Sequence, residues 1–388
     1  RAAAVFAAAR IDFRDRHSAA AHGTVHVRDA TNATAAAAAR VGKKRQAAAR
    51  QLGALRIEYD VSRLGKACAA AGDKVTIRAI DGSNQRLSYT CTRDDVVSDA
   101  ERAYLNDVLE SARTRLSKAL YVWRSAEPLR YVATRTLQCG EMAAAGGELR
   151  DADLLVRVSS YPVPSASTAA FGGACQILDD GRPFVGELNF NPVVMRRTRE
   201  KDMNDTALEN GLLTAMHELI HVLGFTSNNY ARFVDRDQPG QWLSPVYNDD
   251  GIVTRRALAE ARRITGCSAL SAVPMSVSTT DATVVTTLGG GSVGSHWSIN
   301  HFSQDIMNPH GGEPGIVLSS LTLAFLEDMG WYTADMREAA EFYYNAGAGC
   351  ARAQASGSSQ CDAVPDDGCT AAARAQGLRL NQCGYDGA

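Results

Sequence analysis

Two histidines four residues apart, with a glutamate beside the first, form the most informative stretch of this sequence. His217, Glu218 and His221 fit the pattern H-E-x-x-H, and residues 206 to 223 carry apolar side chains at helical spacing. On a helix, positions i and i+4 share one face, so both imidazoles can bind one metal ion. Glu218 then lies beside the open coordination position and can act as general base for metal-bound water. The pattern predicts a zinc site for hydrolysis.

The residues that flank this segment predict where its helix begins and ends. Asp205 or Thr206 can serve as the N-cap, and Gly224 can close the C-terminal end. Gly224 also allows the chain to turn sharply below the metal, because glycine adopts backbone conformations that other residues avoid.

The third ligand that a catalytic zinc ion needs can come from two residue types. Gly224 favours a histidine ligand, and in the short form of that arrangement a histidine follows the glycine by three residues. Ser227 occupies that position here, so any histidine ligand must come from beyond a long insertion. The histidine candidates are His296, His301 and His310, and the glutamate candidates are Glu260, Glu313, Glu327, Glu338 and Glu341.

The composition is that of a globular protein. The chain has 388 residues, 45% hydrophobic and 22% charged, which allows two or three domains with a sizeable core. A net charge of −2 without a broad basic face gives no reason to expect a nucleic-acid partner. No apolar run reaches the ~18 residues that span a bilayer.

The cysteines indicate the compartment. There are nine of them, spread along the chain without a C-x-x-C pair, which predicts disulfides in an oxidising compartment rather than a second metal site. We therefore expect an extracellular or cell-surface protein. Asn32 and Asn204 each begin an N-x-T tripeptide, and both would accept glycans in a secreted protein.

The rest of the chain predicts alternating strands and helices. Residues 1 to 50 are rich in alanine and resemble a pro-segment, with a basic run at Lys43 to Arg45. Strands are predicted at 54–59, 74–80, 153–158, 169–177 and 185–190, and helices at 98–123, 254–264 and 321–329.

The sequence resembles the leishmanolysin family, zinc surface proteases within the metzincins. In that family a long insertion precedes the third histidine, which lies in a G-S-H-like stretch, and a methionine follows eleven residues later. This chain has Gly294-Ser295-His296 and then Met307 at that distance. The resemblance implies that His296 is the third ligand of one zinc ion per chain, and that Met307 forms the hydrophobic floor of a Met-turn.

The resemblance covers roughly residues 50 to 388 and implies an α+β, metzincin-like catalytic domain with a twisted mixed sheet. The expected organisation is a leader at 1–45, an N-terminal catalytic subdomain at 46–226, a central subdomain at 227–350, and a truncated cysteine-rich region at 351–388. The family's C-terminal region often ends in a lipid-anchor signal, so membrane anchoring through a segment outside this chain is expected.

The resemblance also implies a set of disulfides. The expected pairs are Cys68–Cys91, Cys139–Cys175 and Cys267–Cys350, which leaves Cys361, Cys369 and Cys383 without assigned partners. The family's pro-segment usually holds a cysteine that caps the zinc, but no cysteine precedes Cys68 here. How a zymogen would stay latent is therefore open.

The expected function is that of a zinc-dependent endopeptidase acting on proteins and peptides. Extended substrates can add as a strand to a sheet edge beside the metal. The segment from Thr168 to Ala174 is the expected edge, with small residues at Ala169, Ala170, Gly172 and Gly173 that admit a substrate backbone. A small-residue core strand is the competing interpretation. The alternative function is a catalytically silent surface protein that uses the same fold for adhesion.

Overall fold

The computed structural model of the chain describes residues 25–26, 51–78, 85–124, 127–133, 146–165, 168–201, 206–238, 240–276, 294–309 and 315–354. The strands, in chain order, are β1 (Val25–His26), β2 (Gln51–Ala54), β3 (Ile57–Arg63), β4 (Lys74–Arg78), β5 (Arg86–Thr90), β6 (Leu120–Arg124), β7 (Leu129–Tyr131), β8 (Gly147–Leu149), β9 (Leu154–Ser159), β10 (Ala170–Ile177), β11 (Pro183–Phe190), β12 (Tyr247–Asn248), β13 (Gly251–Ile252) and β14 (Tyr332–Ala334). The α-helices are α1 (Asp99–Ala119), α2 (Pro192–Lys201), α3 (Thr206–Leu223), α4 (Arg255–Thr265), α5 (Ile299–Phe302), α6 (Ser320–Asp328) and α7 (Cys350–Ala353). This mixture of helices and sheets agrees with the expected α+β class.

The largest sheet has five strands in the order β1-β10-β11-β9-β3. β9 runs parallel to both β3 and β11, while β10 runs antiparallel to β11. β1 pairs only with Gln176 and Ile177 at the end of β10.

The main hydrophobic core lies between this sheet and helices α1 and α3. Alternation along β9 places Leu154, Val156 and Val158 in this core, while Leu155 belongs to a smaller cluster on the opposite face. The same hydrophobic core also contains side chains of α4 and α6. Helices before Gly224 and helices after it therefore share one core.

Helix α1 owes its start to a capping box. The Ser98 side chain accepts from the Glu101 backbone N–H, and the Glu101 carboxylate accepts in return from the Ser98 N–H. The predicted end of this helix was wrong, because residues 120–124 form β6. Leucine, valine and aromatic side chains suit a strand, and β6 pairs with the distant strands β2 and β14.

The strand predicted at 54–59 is two strands in different sheets. β2 ends at Ala54 and pairs with β6, whereas β3 begins at Ile57 and pairs with β9. Between them, Arg56 forms a bidentate ion pair with Asp153. This pair joins the start of β3 to the start of β9, and local alternation alone cannot place such a switch between sheets.

The other predicted elements agree with the structure to within a few residues, apart from 79–80, which lie outside the described ranges. Helix α2 was not predicted, because its sequence from residue 192 to residue 201 is mostly polar and lacks a long apolar period. Most of the expected leader, the end of the chain from residue 355, and both glycosylation tripeptides also lie outside the described residues. Among the helices that are described, none is long and apolar enough to cross a bilayer.

Candidate metal centre

Helix α3 carries the H-E-x-x-H residues through the centre of the molecule. It packs against β10, β11 and α1, and its side chains from Leu212 to Leu223 are almost all buried. Gly211 permits the close approach of α1, since a Cβ there would lie 2.2 Å from the Tyr104 hydroxyl oxygen. A helix held on several sides keeps His217 and His221 in fixed positions one turn apart.

The C-terminal end of α3 supplies a hydrogen-bond partner for its own histidine. Gly224 has a φ of +122°, a conformation that side chains rarely adopt, so the chain reverses at this position. The reversal brings the Phe225 carbonyl oxygen to 2.7 Å from His221 Nδ1. The predicted turn at Gly224 is thus present, and it orients an imidazole.

His296 reaches the centre from a distant loop. Its ring lies beside those of His217 and His221, with ring centroids 5.1 and 4.8 Å apart, respectively. Trp297, the next residue, donates its backbone N–H to the Met307 carbonyl oxygen over 2.9 Å. The loop that bears His296 is therefore fastened to the segment around Met307.

The three imidazole Nε2 atoms form an equilateral triangle. Each Nε2 of His217, His221 and His296 lies 3.1 Å from the other two, and all three side chains are buried. The Ile306 and Phe225 carbonyl oxygens accept from Nδ1 of His217 and His221 over 2.6 and 2.7 Å. In the His217 and His221 rings, these hydrogen bonds place the proton on Nδ1 and leave a lone pair on Nε2.

Lone pairs that converge in a buried space repel one another unless a cation lies between them. Nitrogen ligands about 2.0–2.1 Å from a tetrahedral zinc ion are roughly 3.3 Å apart, close to the 3.1 Å found here. Burial lowers the pKa of His217 to about 4, although the Ile306 carbonyl opposes this shift, so the ring is neutral at pH 7. The donor set therefore fits a zinc ion and leaves room for a fourth ligand.

Glu218 lies next to His217 on α3 and is 9% exposed. Burial raises the pKa of its carboxyl group to about 8, while a hydrogen bond from the Gly172 backbone lowers it. Gly172 lies in β10, so this contact joins β10 to the glutamate of the motif.

Gly172 also allows β10 to approach α3. A Cβ on Gly172 would lie 2.5 Å from the Glu218 carbonyl oxygen, closer than real Cβ contacts allow, whereas a Cβ on Gly173 would meet no described atom within 4 Å. Ala170 is buried and Ala169 packs against the core. A side chain at residue 172 would therefore clash with α3, which explains the glycine there. The interpretation of this strand as a substrate-binding edge did not include that reason.

The remaining sequence candidates for metal ligands lie elsewhere or make other bonds. His301 is buried, and its Nδ1 is 2.8 Å from the Ser298 hydroxyl oxygen. Glu327 forms ion pairs with Arg236 and Arg256, and Glu260 pairs with Arg263. Glu338 and Glu341 are exposed, and His310 and Glu313 fall outside the described residues. In the described ranges, the group that could hold a metal consists of the three histidines.

Met307 is fully buried in the main core, in a tight turn where Asn308 N–H donates to the Asp305 carbonyl oxygen over 3.0 Å. Sequence reasoning missed Asp305, whose buried carboxylate accepts from the Met307 N–H over 2.6 Å. It also missed the carbonyl groups that orient the histidines. Backbone carbonyls carry no residue-type signal, and Asp305 is a single polar residue in a loop.

Two disulfides join pairs of described cysteines. Cys68 is joined to Cys91, and Cys267 to Cys350. Cys175 is also in a disulfide. Its expected partner Cys139 lies outside the described residues, as do Cys361, Cys369 and Cys383.

Comparison with known proteins gives a consistent family. The family model for leishmanolysin matches residues 10–386. A leishmanolysin homolog from Crithidia fasciculata is 27% identical over 73% of this chain and 40% of its own length. The leishmanolysin of Leishmania donovani is 27% identical over 77% of the chain and 48% of its own length, and a leishmanolysin-like peptidase of Caenorhabditis briggsae is 25% identical over 55% and 36%. The chain thus spans less than half the length of these relatives.

Proposed function

The chain belongs to the leishmanolysin family, and on that premise we propose that it is a zinc-dependent endopeptidase that hydrolyses peptide bonds in proteins. The observation that carries this proposal is the triangle of Nε2 atoms from His217, His221 and His296, with sides of 3.1 Å. Three histidines with an open fourth position are a donor set of catalytic rather than structural zinc sites. One zinc ion per chain would be held there.

When bound, the zinc ion would polarise the scissile carbonyl group and make water more acidic. Glu218 is the base in this proposal: its carboxylate takes the proton of the attacking water and passes it to the departing amine nitrogen. Its place next to His217, its burial and its contact with the Gly172 backbone support this role. Buried surroundings also exclude competing water from the carboxylate.

Two further residue groups complete the proposed site. Met307, buried in the turn that faces His217, would form the apolar floor of a metzincin Met-turn. The segment from Thr168 to Ala174, most of which lies in β10, would bind an extended substrate by strand addition. Its closeness to Glu218 through Gly172 supports this placement, since the substrate backbone would then lie beside the base.

The proposed location is extracellular or at the cell surface. The disulfides Cys68–Cys91 and Cys267–Cys350 support an oxidising compartment. Protein or peptide substrates would be encountered there. Membrane anchoring through a segment outside this chain is proposed from the family resemblance, and glycosylation from the N-x-T tripeptides at Asn32 and Asn204.

The test is casein hydrolysis by the purified full chain. We expect activity that a zinc chelator abolishes and that added zinc restores. Glu218→Ala should retain zinc and lose about 100-fold to 10,000-fold in turnover, the usual contribution of general acid–base catalysis. Glu209→Ala is the matched control, because Glu209 lies on the same helix but pairs with Arg115 at the surface. Equal activity of the Glu218 and Glu209 variants would contradict the proposed base.

A second pair of variants tests the ligand set. His296→Ala should lower the zinc content of the purified protein, because a coordinating nitrogen is removed. His301→Ala should keep its zinc, since the His301 Nδ1 atom contacts Ser298 instead. Full zinc in the His296 variant would contradict the proposed centre. Zinc binding by the wild-type chain without hydrolysis would instead favour a catalytically silent binding protein.

A further inference from the structure

The buried aspartate at position 305 lies at the centre of a hydrogen-bond network behind the histidine triangle. Asp305 is fully buried, and its Oδ1 atom accepts from the Met307 N–H over 2.6 Å and from the Thr322 hydroxyl over 2.7 Å. Its Oδ2 atom accepts from the Ser319 hydroxyl in a short hydrogen bond. Three donors from two segments of the chain therefore converge on one carboxylate.

The first branch of this network leads to His217. The Met307 N–H bond closes the turn at residues 305 to 307, and the Ile306 N–H donates to the Val317 carbonyl oxygen over 2.8 Å. With the turn held on both sides, the Ile306 carbonyl oxygen lies 2.6 Å from His217 Nδ1. The orientation of the His217 ring thus depends on a turn that Asp305 fixes.

The second branch leads toward His296. Thr322, which donates its hydroxyl hydrogen to Asp305, accepts a hydrogen bond from the Trp297 indole Nε1 over 2.9 Å. The Trp297 backbone N–H donates to the Met307 carbonyl oxygen over 2.9 Å. Trp297 directly follows His296, so its two bonds fix the backbone that presents that imidazole.

Helix α6 anchors the network. Ser319 is its N-cap and accepts from the Leu321 and Thr322 N–H groups while donating to Asp305. The positive end of the helix dipole favours a negative charge at this point. A carboxylate only accepts hydrogen bonds, so it suits three donors, whereas an amide would direct its NH₂ group at one of them.

We propose that Asp305 is a positioning residue for the metal centre, which sets the His217 ring and the His296 loop through one carboxylate. This inference rests on the proposed zinc site. Partners behind the ligands of a metal hold the rings in their coordinating orientation, and their removal usually costs 10-fold to 100-fold in metal affinity or activity. Asp305 would act in this way although it contacts no histidine directly.

The test compares Asp305→Asn with Asp328→Asn in the full chain. Asp328 is a matched control because its buried carboxylate also receives backbone N–H groups at a helix N-terminus, those of Arg256 and Ala257. The hydrogen bonds and the ion pair described for Asp328 go to Arg256 and Ala257, neither of which contacts the three histidines in the described structure. Both variants lose a buried charge and its hydrogen bonds, so both should be less stable than the wild-type chain.

Only the Asp305 variant should alter the metal centre. We expect its zinc affinity to fall about 10-fold to 100-fold in chelator competition, and its visible cobalt(II) absorption spectrum to change, because the nitrogen ligands are displaced. Its kcat should fall with little change in KM. The Asp328 variant should keep the wild-type zinc affinity and cobalt spectrum.

A folded Asp305→Asn variant with wild-type zinc affinity and cobalt spectrum would overturn the inference. If Asp305→Asn does not fold, Thr322→Val replaces it, since this variant keeps the carboxylate but removes one of its three donors and the acceptor of the Trp297 indole N–H. Unchanged zinc affinity and an unchanged cobalt spectrum in Thr322→Val would also overturn it. A wild-type chain that binds no zinc would overturn both the proposed function and this inference. If the wild-type chain binds zinc and hydrolyses casein, and the Asp305 variant has the same zinc affinity and cobalt spectrum, only this inference is overturned.

Discussion

Replacing Gly172 with alanine tests the contact between β10 and Glu218, the proposed general base. The new Cβ would lie 2.5 Å from the Glu218 carbonyl oxygen and 3.0 Å from its carbonyl carbon and Cβ. An ordinary carbon–oxygen contact is about 3.3–3.6 Å, so strand and helix must separate locally by roughly 1 Å. The atoms that are met belong to the backbone of a buried helix, which cannot rotate away as the end of a long side chain can.

The expected losses follow from this separation. Overpacking of this kind costs about 1–3 kcal/mol in the free energy of unfolding. A displacement of about 1 Å at a catalytic group can cost on the order of 100-fold in rate, so kcat/KM should fall by about that factor. Zinc content should not change, because the atoms nearest to the new Cβ belong to Glu218 and not to one of the three histidines.

The assay combines chemical denaturation, zinc analysis and hydrolysis of a fluorogenic casein. Gly173→Ala is the matched control, since it places the same side chain one residue along the same strand. Its Cβ would meet no described atom within 4 Å. We expect Gly173→Ala to stay within about 0.5 kcal/mol of wild-type stability, because its Cβ enters open space.

Two results would refute the reasoning. Wild-type activity and stability in Gly172→Ala would mean that β10 moves away from α3 without cost, so that the close approach is not needed. Equal losses in both variants would mean that a glycine is needed throughout the strand, for instance for substrate entry, rather than for the contact with Glu218.

Three further substitutions test the supports of the site. Gly224→Ala should lower Tm more than Gly240→Ala. Both glycines have positive φ values, but only a Cβ at Gly224 would meet another group, the Trp331 indole ring at 2.8 Å. Equal losses in Tm would contradict this prediction. Arg196→Met should cost about 1 kcal/mol at pH 7. Burial alone would raise the Glu101 pKa, but hydrogen bonds from the guanidinium and the helix cap bring it below its ordinary 4.5. Because the Glu101 pKa is lower in the folded chain, the ionised carboxylate contributes to the free energy of unfolding above pH 4.5. The cost of Arg196→Met should therefore shrink as the pH falls through the folded-state pKa. A constant stability difference between variant and wild type down to pH 3 would contradict this reasoning. Opening the Cys267 disulfide, whose cysteines are 83 residues apart, should cost about 4 kcal/mol in denaturant titrations, and a loss under about 1 kcal/mol would contradict the loop-closure argument.

The sequence predicted the half of the site that depends on local geometry. His217 and His221 share a face because an α-helix repeats every 3.6 residues, and this holds wherever the helix lies. Gly224 follows the same logic, since a reversed backbone at a helix end needs a residue without a Cβ. The apolar period that predicted a helix from residue 98 is equally local, and the structure adds the capping box of Ser98 and Glu101 at its start.

His296 was predicted as the third ligand because the spacing of Gly294, His296 and Met307 resembles a family pattern. The residues alone left several candidates for that ligand open. It meets His221 across 75 residues of chain and His217 across 79, most of them in a long insertion. No local rule brings such residues together, because their contact depends on how the whole insertion packs. Family spacing encodes that packing, whereas helical periodicity does not.

The sequence by itself determined the approximate positions of helices α1, α3, α4 and α6, those of strands β3, β4, β9, β10 and β11, and the placement of the H-E-x-x-H residues on a helix. These features depend on hydrogen bonds and side-chain patterns within a few residues. Only the tertiary structure decided that residues 120–124 leave a helix for a strand, since β6 is held by partners from both ends of the described chain. It also decided that Gly172 touches Glu218 and that Asp305 lies behind the histidines. Those contacts join backbone and side-chain groups that are far apart in sequence, and their energies exist only once the sheet, the helices and the loops have packed together.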